Sequence, residues 1–247
     1  MNLILVEPSE VGAAGGVLLS GTRATHVQQV LKAVPGTTVR IGIVDGPRGL
    51  GTVMSSTPET VTLHCAFEAG IPERPPVDLL LALPRPKVLR RLWAQLAALG
   101  VGRIILTNAA RVERHYFDTH VVAPACFRPL LIEGLQQARD TRLPSVTIHR
   151  RLKVLLEDEL DAIAGAALRV VADPAEPGSV GETIAAQATD RLLVAVGPEG
   201  GWTDFERQLF DRLGFHRVGL GSRTLRSDTA CVALLALAHD ALARRRE

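Results

Sequence analysis

Two loops in the last quarter of the chain carry the residues from which chemistry can be argued. The first, Gly197-Pro198-Glu199-Gly200-Gly201-Trp202-Thr203, follows directly on the apolar run Leu192-Leu193-Val194-Ala195-Val196. The second is Val218-Gly219-Leu220-Gly221-Ser222-Arg223-Thr224-Leu225-Arg226-Ser227-Asp228-Thr229-Ala230. In each, a strand gives way to a glycine turn and then to a helix start. That order leaves bare backbone N–H and C=O groups at a strand's C-terminal edge, where open α/β sheets bind ligands. Glycine lets a ligand approach the backbone closely. Thr203 with Glu206 three residues on has the spacing of a capping box, which marks the helix start. Taken singly each loop also reads as a plain tight turn, whereas two in succession on consecutive strands form a more specific pattern.

The elements that must position these loops alternate. From residue 77 the apolar runs 77–83, 103–107, 145–148, 168–172, 191–196 and 217–220 read as strands. Helices are expected between or after them near 87–99, 124–139, 154–162, around Ile184, 204–213 and 228–244. Strands apolar on both faces and interleaved with helices indicate a parallel sheet covered on both sides. Ahead of this lies a different rhythm. Residues 2–6, 38–44, 51–54 and 60–67 read as short strands, with a turn at 45–49 and one helix around Thr25–Leu31. Several strands and one helix in about seventy residues suggest a small barrel-like domain, and the proline-rich stretch 68–76 reads as a linker. The expected division is 1–72 and 73–247.

Charge placement narrows the partners. The 247 residues have a net charge of only +2. Yet 85–151 holds twelve Arg or Lys against four acids, a balance of +8, while 152–222 has six against twelve, a balance of −6. Lysine occurs only as Lys32, Lys87 and Lys153, and an arginine-rich segment suggests RNA, because guanidinium groups bind phosphate bidentately and stack on bases. Solvated helix faces in an arginine-rich proteome are the alternative reading. Cys65, Cys126 and Cys231 lie too far apart for a disulfide framework or a paired metal motif, and the seven histidines are dispersed, so no metal site is expected. The N-terminal residues lack the basic start of a signal peptide, and the apolar run 230–238 is about half a membrane span. The reading is a cytoplasmic globular protein. No GxxxxGK[ST], GxGxxG after the first α/β strand, HExxH or GxSxG motif is present.

With these residues in view, a resemblance can be stated. The Gly197–Thr203 loop resembles the GPEGG(F/W)(S/T) loop of the RsmE family, and 220–230 resembles its LGxRxLR(T/S)(E/D)TA segment. Both match at nearly every position and in the family's order. Gln136-Gln137-Ala138-Arg139-Asp140-Thr141-Arg142-Leu143-Pro144 is similar to the EQSGRxRxP segment, with Arg139 and Asp140 standing where the family has glycine and arginine. The KATELG helix is replaced by Ala94-Gln95-Leu96-Ala97-Ala98-Leu99-Gly100. These are bacterial SPOUT methyltransferases acting on N3 of a uridine in 16S ribosomal RNA, and the similarity runs over the whole chain.

The resemblance implies an α/β SPOUT domain with a deep trefoil knot, a small N-terminal β-barrel of PUA-like type, S-adenosylmethionine as cofactor, and a homodimer formed through the knot. It places the cofactor at Val196, Gly197, Pro198, Gly200, Gly201, Leu220, Gly221, Leu225, Arg226, Thr229 and Ala230, and RNA at Arg111, Gln137, Arg139 and Arg142. The reaction then assigns roles. Uracil N3 is a protonated imide, a poor nucleophile until its proton leaves, so the site must align it, stabilise the anion and accept the proton. Arg226 is the candidate to face O2 or O4; its alternative is an ion pair with Asp228 or a neighbouring acid. Asp228 or Glu199 is the candidate proton acceptor, and either also suits a helix cap. Because N3 lies on the pairing edge, the uridine must be unpaired or flipped out. A SPOUT enzyme with another target such as a ribose 2′-hydroxyl, and a noncatalytic RNA-binding protein of the same fold, are the rival readings.

Overall fold

The structure is a computed structural model that describes residues 2–187 and 189–246. Its chain divides into two compact units, one of Met1–Arg74 with Leu131–Leu143, the other of Pro75–Leu130 with Pro144–Glu247. The segment Leu131–Leu143 therefore clusters with the first unit, although the chain on both sides of it belongs to the second.

The first unit is built on a five-stranded sheet in the order β1-β3-β4-β5-β2. Its strands are β1 (Ile4–Val6), β2 (Gly16–Ser20), β3 (Thr38–Ile43), β4 (Arg48–Ser56) and β5 (Thr60–Phe67). β1 runs parallel to β3, and the other neighbours are antiparallel. Alternation decides what is buried: Val17 and Leu19 on β2, Val39 and Ile41 on β3, Val61, Leu63 and Cys65 on β5 all turn inward. They meet Ala24 of α1 (Gly21–Thr25) and Val27 in the π-helical turn that continues it. β2 is a strand that the expected elements did not include. The returning segment is tied in by Thr141, whose buried hydroxyl donates to the Gly46 carbonyl at 2.6 Å, while Asp45 N–H donates to the Thr141 carbonyl at 2.8 Å.

The second unit is an α/β layer structure around a six-stranded, all-parallel sheet ordered β11-β9-β10-β6-β7-β8. The strands are β6 (Val77–Ala82), β7 (Val101–Thr107), β8 (Ser145–His149), β9 (Leu168–Ala172), β10 (Leu192–Val196) and β11 (His216–Val218). Every residue of β6 and β10 is buried, as central parallel strands require. Helices α2 (Pro86–Ala98), α3 (Pro124–Ala138), α4 (Leu152–Val154), α5 (Leu160–Ala164), α6 (Val180–Ala186), α7 (Asp204–Arg212) and α8 (Ser227–Arg246) connect or follow these strands. α8 buries Cys231, Leu234, Leu235, Ala238 and Leu242, a stripe at helical spacing. No helix among the described residues is long and apolar enough to cross a membrane.

The sheet itself encloses a charge. Asp78 on β6 is fully buried and is held by two guanidiniums, Arg103 at 3.1 Å and Arg191 at 3.1 Å. A buried carboxylate is tolerated only when paired in this way. Arg103 is one of the twelve cations of the basic segment, so part of that segment's charge is structural.

Candidate functional site

Because all six strands are parallel, their C-terminal ends form one row, and the loops leaving β9, β10 and β11 stand side by side along it. The loop after β11 is laced to the loop after β9. Gly219 N–H donates to the Gly178 carbonyl at 2.7 Å, and Asp173 N–H donates to the Val218 carbonyl at 2.9 Å. The approach is so close that a Cβ on Gly219 would sit 1.9 Å from the Glu176 carbonyl oxygen. No other residue fits there. Between the two loops lies a small cleft lined by Asp173, Pro174, Leu220, Gly221, Leu225 and Ala230, among others. Its walls combine apolar side chains, exposed backbone and one carboxylate. Asp173 is nearly buried, its Oδ1 accepting from Ala175 N–H at 3.1 Å and its Oδ2 lying 3.8 Å from Arg217.

The β10 loop is organised by its aromatic and by an acid. Trp202 is buried against Phe210 of α7, the two rings edge to face at 4.8 Å. A Cβ on Gly197 would press on the Trp202 ring at 3.1 Å, so this glycine makes room for the tryptophan. Thr203 and Glu206 do form a capping box at the start of α7. Glu206, only 4% exposed, does more than cap: besides Thr203 N–H and Thr203 hydroxyl, each at 2.8 Å, it accepts from Ala110 N–H at 2.7 Å. That bond fixes the residue before Arg111. The Arg111 guanidinium donates to the Gly200 carbonyl, and its side chain lies where a Gly200 Cβ would be, at 2.9 Å.

The expected cofactor residues are therefore only partly gathered. Leu220, Gly221, Leu225 and Ala230 share the cleft, with Arg226 and Thr229 next to it in the chain. Val196 ends β10, and Gly197, Pro198, Gly200 and Gly201 belong to the loop that follows it; none of the five lines the cleft.

Among the candidate catalytic groups, Arg226 is exposed and has no ion-pair partner among the described residues; its carbonyl accepts from Ala230 N–H at 2.8 Å, closing the first turn of α8. Asp228 instead pairs with Arg91 of α2 at 3.1 Å, and its other oxygen accepts from Thr229 N–H at 2.9 Å. Glu199 is exposed and has no such contact among the described residues. Between Arg226 and Asp228, the Ser227 hydroxyl is buried with no hydrogen-bond partner among the described residues. Below them, burial and, secondarily, the charge of Asp228 push the Cys231 thiol up to about 12, which makes it inert.

The candidate RNA residues also divide. Gln137 and Arg139 are exposed in the first unit, with Arg139 ending its helix at φ 59°. Arg142 is not available in the way expected of a phosphate contact: it is largely buried, its guanidinium 3.3 Å from the Asp45 carbonyl and 3.6 Å from the Asp45 carboxylate. It holds a turn. Sequence reasoning also missed Arg91, Asp173 and the Ala110–Glu206 bond. Only Asp173 carried a signal, since Asp173-Pro174 follows an apolar strand just as the two glycine loops do.

Residues 72–239 match the model of a family described as an RNA methyltransferase domain. The chain is 31% identical to the ribosomal RNA small subunit methyltransferase E of Treponema pallidum over 97% of its own length and 92% of the relative's. The chain belongs to the RsmE family. A second RsmE relative, ribosomal RNA small subunit methyltransferase E 1 of Borreliella burgdorferi, is 26% identical over 94% of this chain and 95% of its own. The RsmE fold is shared with the solved ribosomal RNA small subunit methyltransferase E of Neisseria gonorrhoeae, a structure with bound S-adenosylmethionine. The TM-score is 0.77 at 19% identity, covering 97% of each chain.

Proposed function

We propose that this protein methylates N3 of one uridine in 16S ribosomal RNA, with S-adenosylmethionine as methyl donor. The observation that carries the reading is the cleft between the β9 and β11 loops, in a chain that matches a small-subunit ribosomal RNA methyltransferase almost end to end. The residues present suit the cofactor's chemistry, although the cleft, about 50 Å³, must open to admit it. An apolar slot of Pro174, Leu220, Leu225 and Ala230 suits an adenine, the loop backbone supplies hydrogen bonds, and Asp173 adds a carboxylate for hydroxyl or ammonium groups. Gly197, Gly200 and Gly201 complete the site from the β10 loop once Arg111 moves off Gly200.

When bound, S-adenosylmethionine supplies an electrophilic methyl on a sulfonium. The protein's own work is on the uridine. Arg226, held at the start of α8 with its guanidinium unpaired among the described residues, hydrogen-bonds a uracil carbonyl and stabilises the anion that forms as N3 loses its proton. Glu199 is the better placed proton acceptor of the two candidates, because Asp228 is engaged by Arg91 and serves to orient the helix start. Arg139 and Gln137 contact RNA from the first unit, which acts as a PUA-like RNA-binding domain; the second is the SPOUT methyltransferase domain. The position of β10, between the earlier strands β6 and β9, supports a knotted C-terminal segment. The protein works as a homodimer in the cytoplasm.

The test is nucleoside mass spectrometry of 16S RNA from cells lacking the protein, with add-back of purified enzyme to their small subunits. Loss and restoration of 3-methyluridine are expected. Undiminished 3-methyluridine overturns the reading, and loss of a 2′-O-methylated nucleoside instead would move the target to the ribose.

A further inference from the structure

At the opposite end of the row of strand ends from the Gly219 cleft, the segments leaving β7 and β8 enclose a second groove. It has a volume of about 530 Å³ and is lined by Asn108, Arg114, Phe117, Arg150, Arg151 and Lys153, among others. Four of these six carry positive charge. Two are engaged: Arg150 lies over the Phe117 ring at 5.3 Å and pairs with Asp118 at 2.8 Å, and Lys153 stands 3.7 Å from Glu157. Arg114 and Arg151 are exposed and have no ion-pair partner among the described residues.

We propose that this groove is a second RNA contact, holding the ribose-phosphate backbone of the substrate away from the target uridine. The proposal rests on the reading that the substrate is RNA. Unpaired guanidiniums around a concavity are the chemistry that takes phosphodiesters. The Phe117 ring is covered by Arg150 and buried, so no aromatic face is open for base stacking, and the contact reads backbone rather than sequence. The groove also gives the excess charge of residues 85–151 a place of action, after Arg103 and Arg142 have been assigned to structural pairs.

The experiment compares the full-length protein with the double variant Arg114→Glu/Arg151→Glu and a control, Arg212→Glu, exposed on α7 outside the groove. Binding of a labelled single-stranded RNA is followed by anisotropy across a salt series. The double variant should weaken RNA binding ~10–100-fold and flatten the slope of log K against log salt by ~1.4, two contacts at ~0.7 each. S-adenosylmethionine affinity and melting temperature should not change. Wild-type RNA affinity and slope in the double variant, or an equal loss in Arg212→Glu, overturns the groove. Methyl transfer to small subunits is scored separately, so that a wild type that binds RNA through the groove yet transfers no methyl refutes the proposed activity alone.

Discussion

Glu206 offers the sharpest test of how the site is held. Its carboxylate accepts three hydrogen bonds from within the protein, two of them from backbone N–H groups that have no other acceptor in view. Glu206→Ala removes both acceptors. An unsatisfied buried donor costs ~1–3 kcal/mol, but Ala110 is exposed enough for water to reach its N–H, so the lower half of that range applies there. With the lost capping box added, the expected destabilisation is ~2–4 kcal/mol. Glu206→Gln keeps one acceptor oxygen, and turning the amide to serve Ala110 leaves Thr203 N–H facing an NH₂, so its cost should be about half. Urea unfolding measures both. The functional consequence runs through the chain: releasing Ala110 frees Arg111, and with it the contact to the Gly200 carbonyl. Calorimetry should then show altered S-adenosylmethionine affinity in Glu206→Ala even under conditions where the variant is fully folded. A variant within ~0.5 kcal/mol of the wild type, with unchanged affinity, would refute the reasoning.

The two close-packed glycines should respond differently. Gly219→Ala drives a Cβ into the Glu176 carbonyl and should prevent stable folding, whereas Gly200→Val meets only the flexible Arg111 side chain and should fold with reduced methyl transfer; melting curves separate them. Arg226→Ala should lower kcat ~10²–10³-fold with little change in cofactor affinity, and Arg226→Lys should not restore the rate, measured in single turnovers at saturating RNA. Burial holds the His239 imidazole below its ordinary value of 6.5. The unfolded chain therefore binds the proton first: stability is full above pH 6.5 and falls as the pH drops from there towards the lowered folded value. His239→Gln should flatten that dependence in unfolding experiments at pH 5 to 8; an unchanged slope would show that other groups cause it.

Much of the second unit was legible because its central strands β6, β7 and β10 are buried on both faces and helices α2 and α7 keep a clear period, so hydrophobicity alone marks them. β2 escaped notice because it is a five-residue edge strand, preceded by glycines, with only Val17 and Leu19 turned inward. The glycine loops and the capping box were visible because they are local in sequence. Partners were not. A carboxylate one turn into α8 can be read as a mate for Arg226 two residues away, yet the fold pairs Asp228 with Arg91, 137 residues distant. In the same way, net charge overstates what a segment offers to RNA, since Arg103 neutralises a buried aspartate and Arg142 holds a turn. Long-range pairing of guanidiniums leaves no trace in spacing.

The placement of Leu131–Leu143 has a consequence for how this molecule can be taken apart. The polypeptide passes from the first unit to the second, returns, and leaves again, so it crosses the boundary three times. No single proteolytic cut separates the halves, and a fragment ending at Arg74 lacks the hydroxyl of Thr141 that closes the Asp45–Gly46 turn. A fragment beginning at Pro75 carries the fully buried Leu135 and Thr141 without the strands they belong with. During synthesis, too, the first unit stays incomplete until residue 143 has left the ribosome. The two units are thus not exchangeable modules: a recombination event with one crossover would ruin both, and only a coordinated replacement of two segments would transplant either.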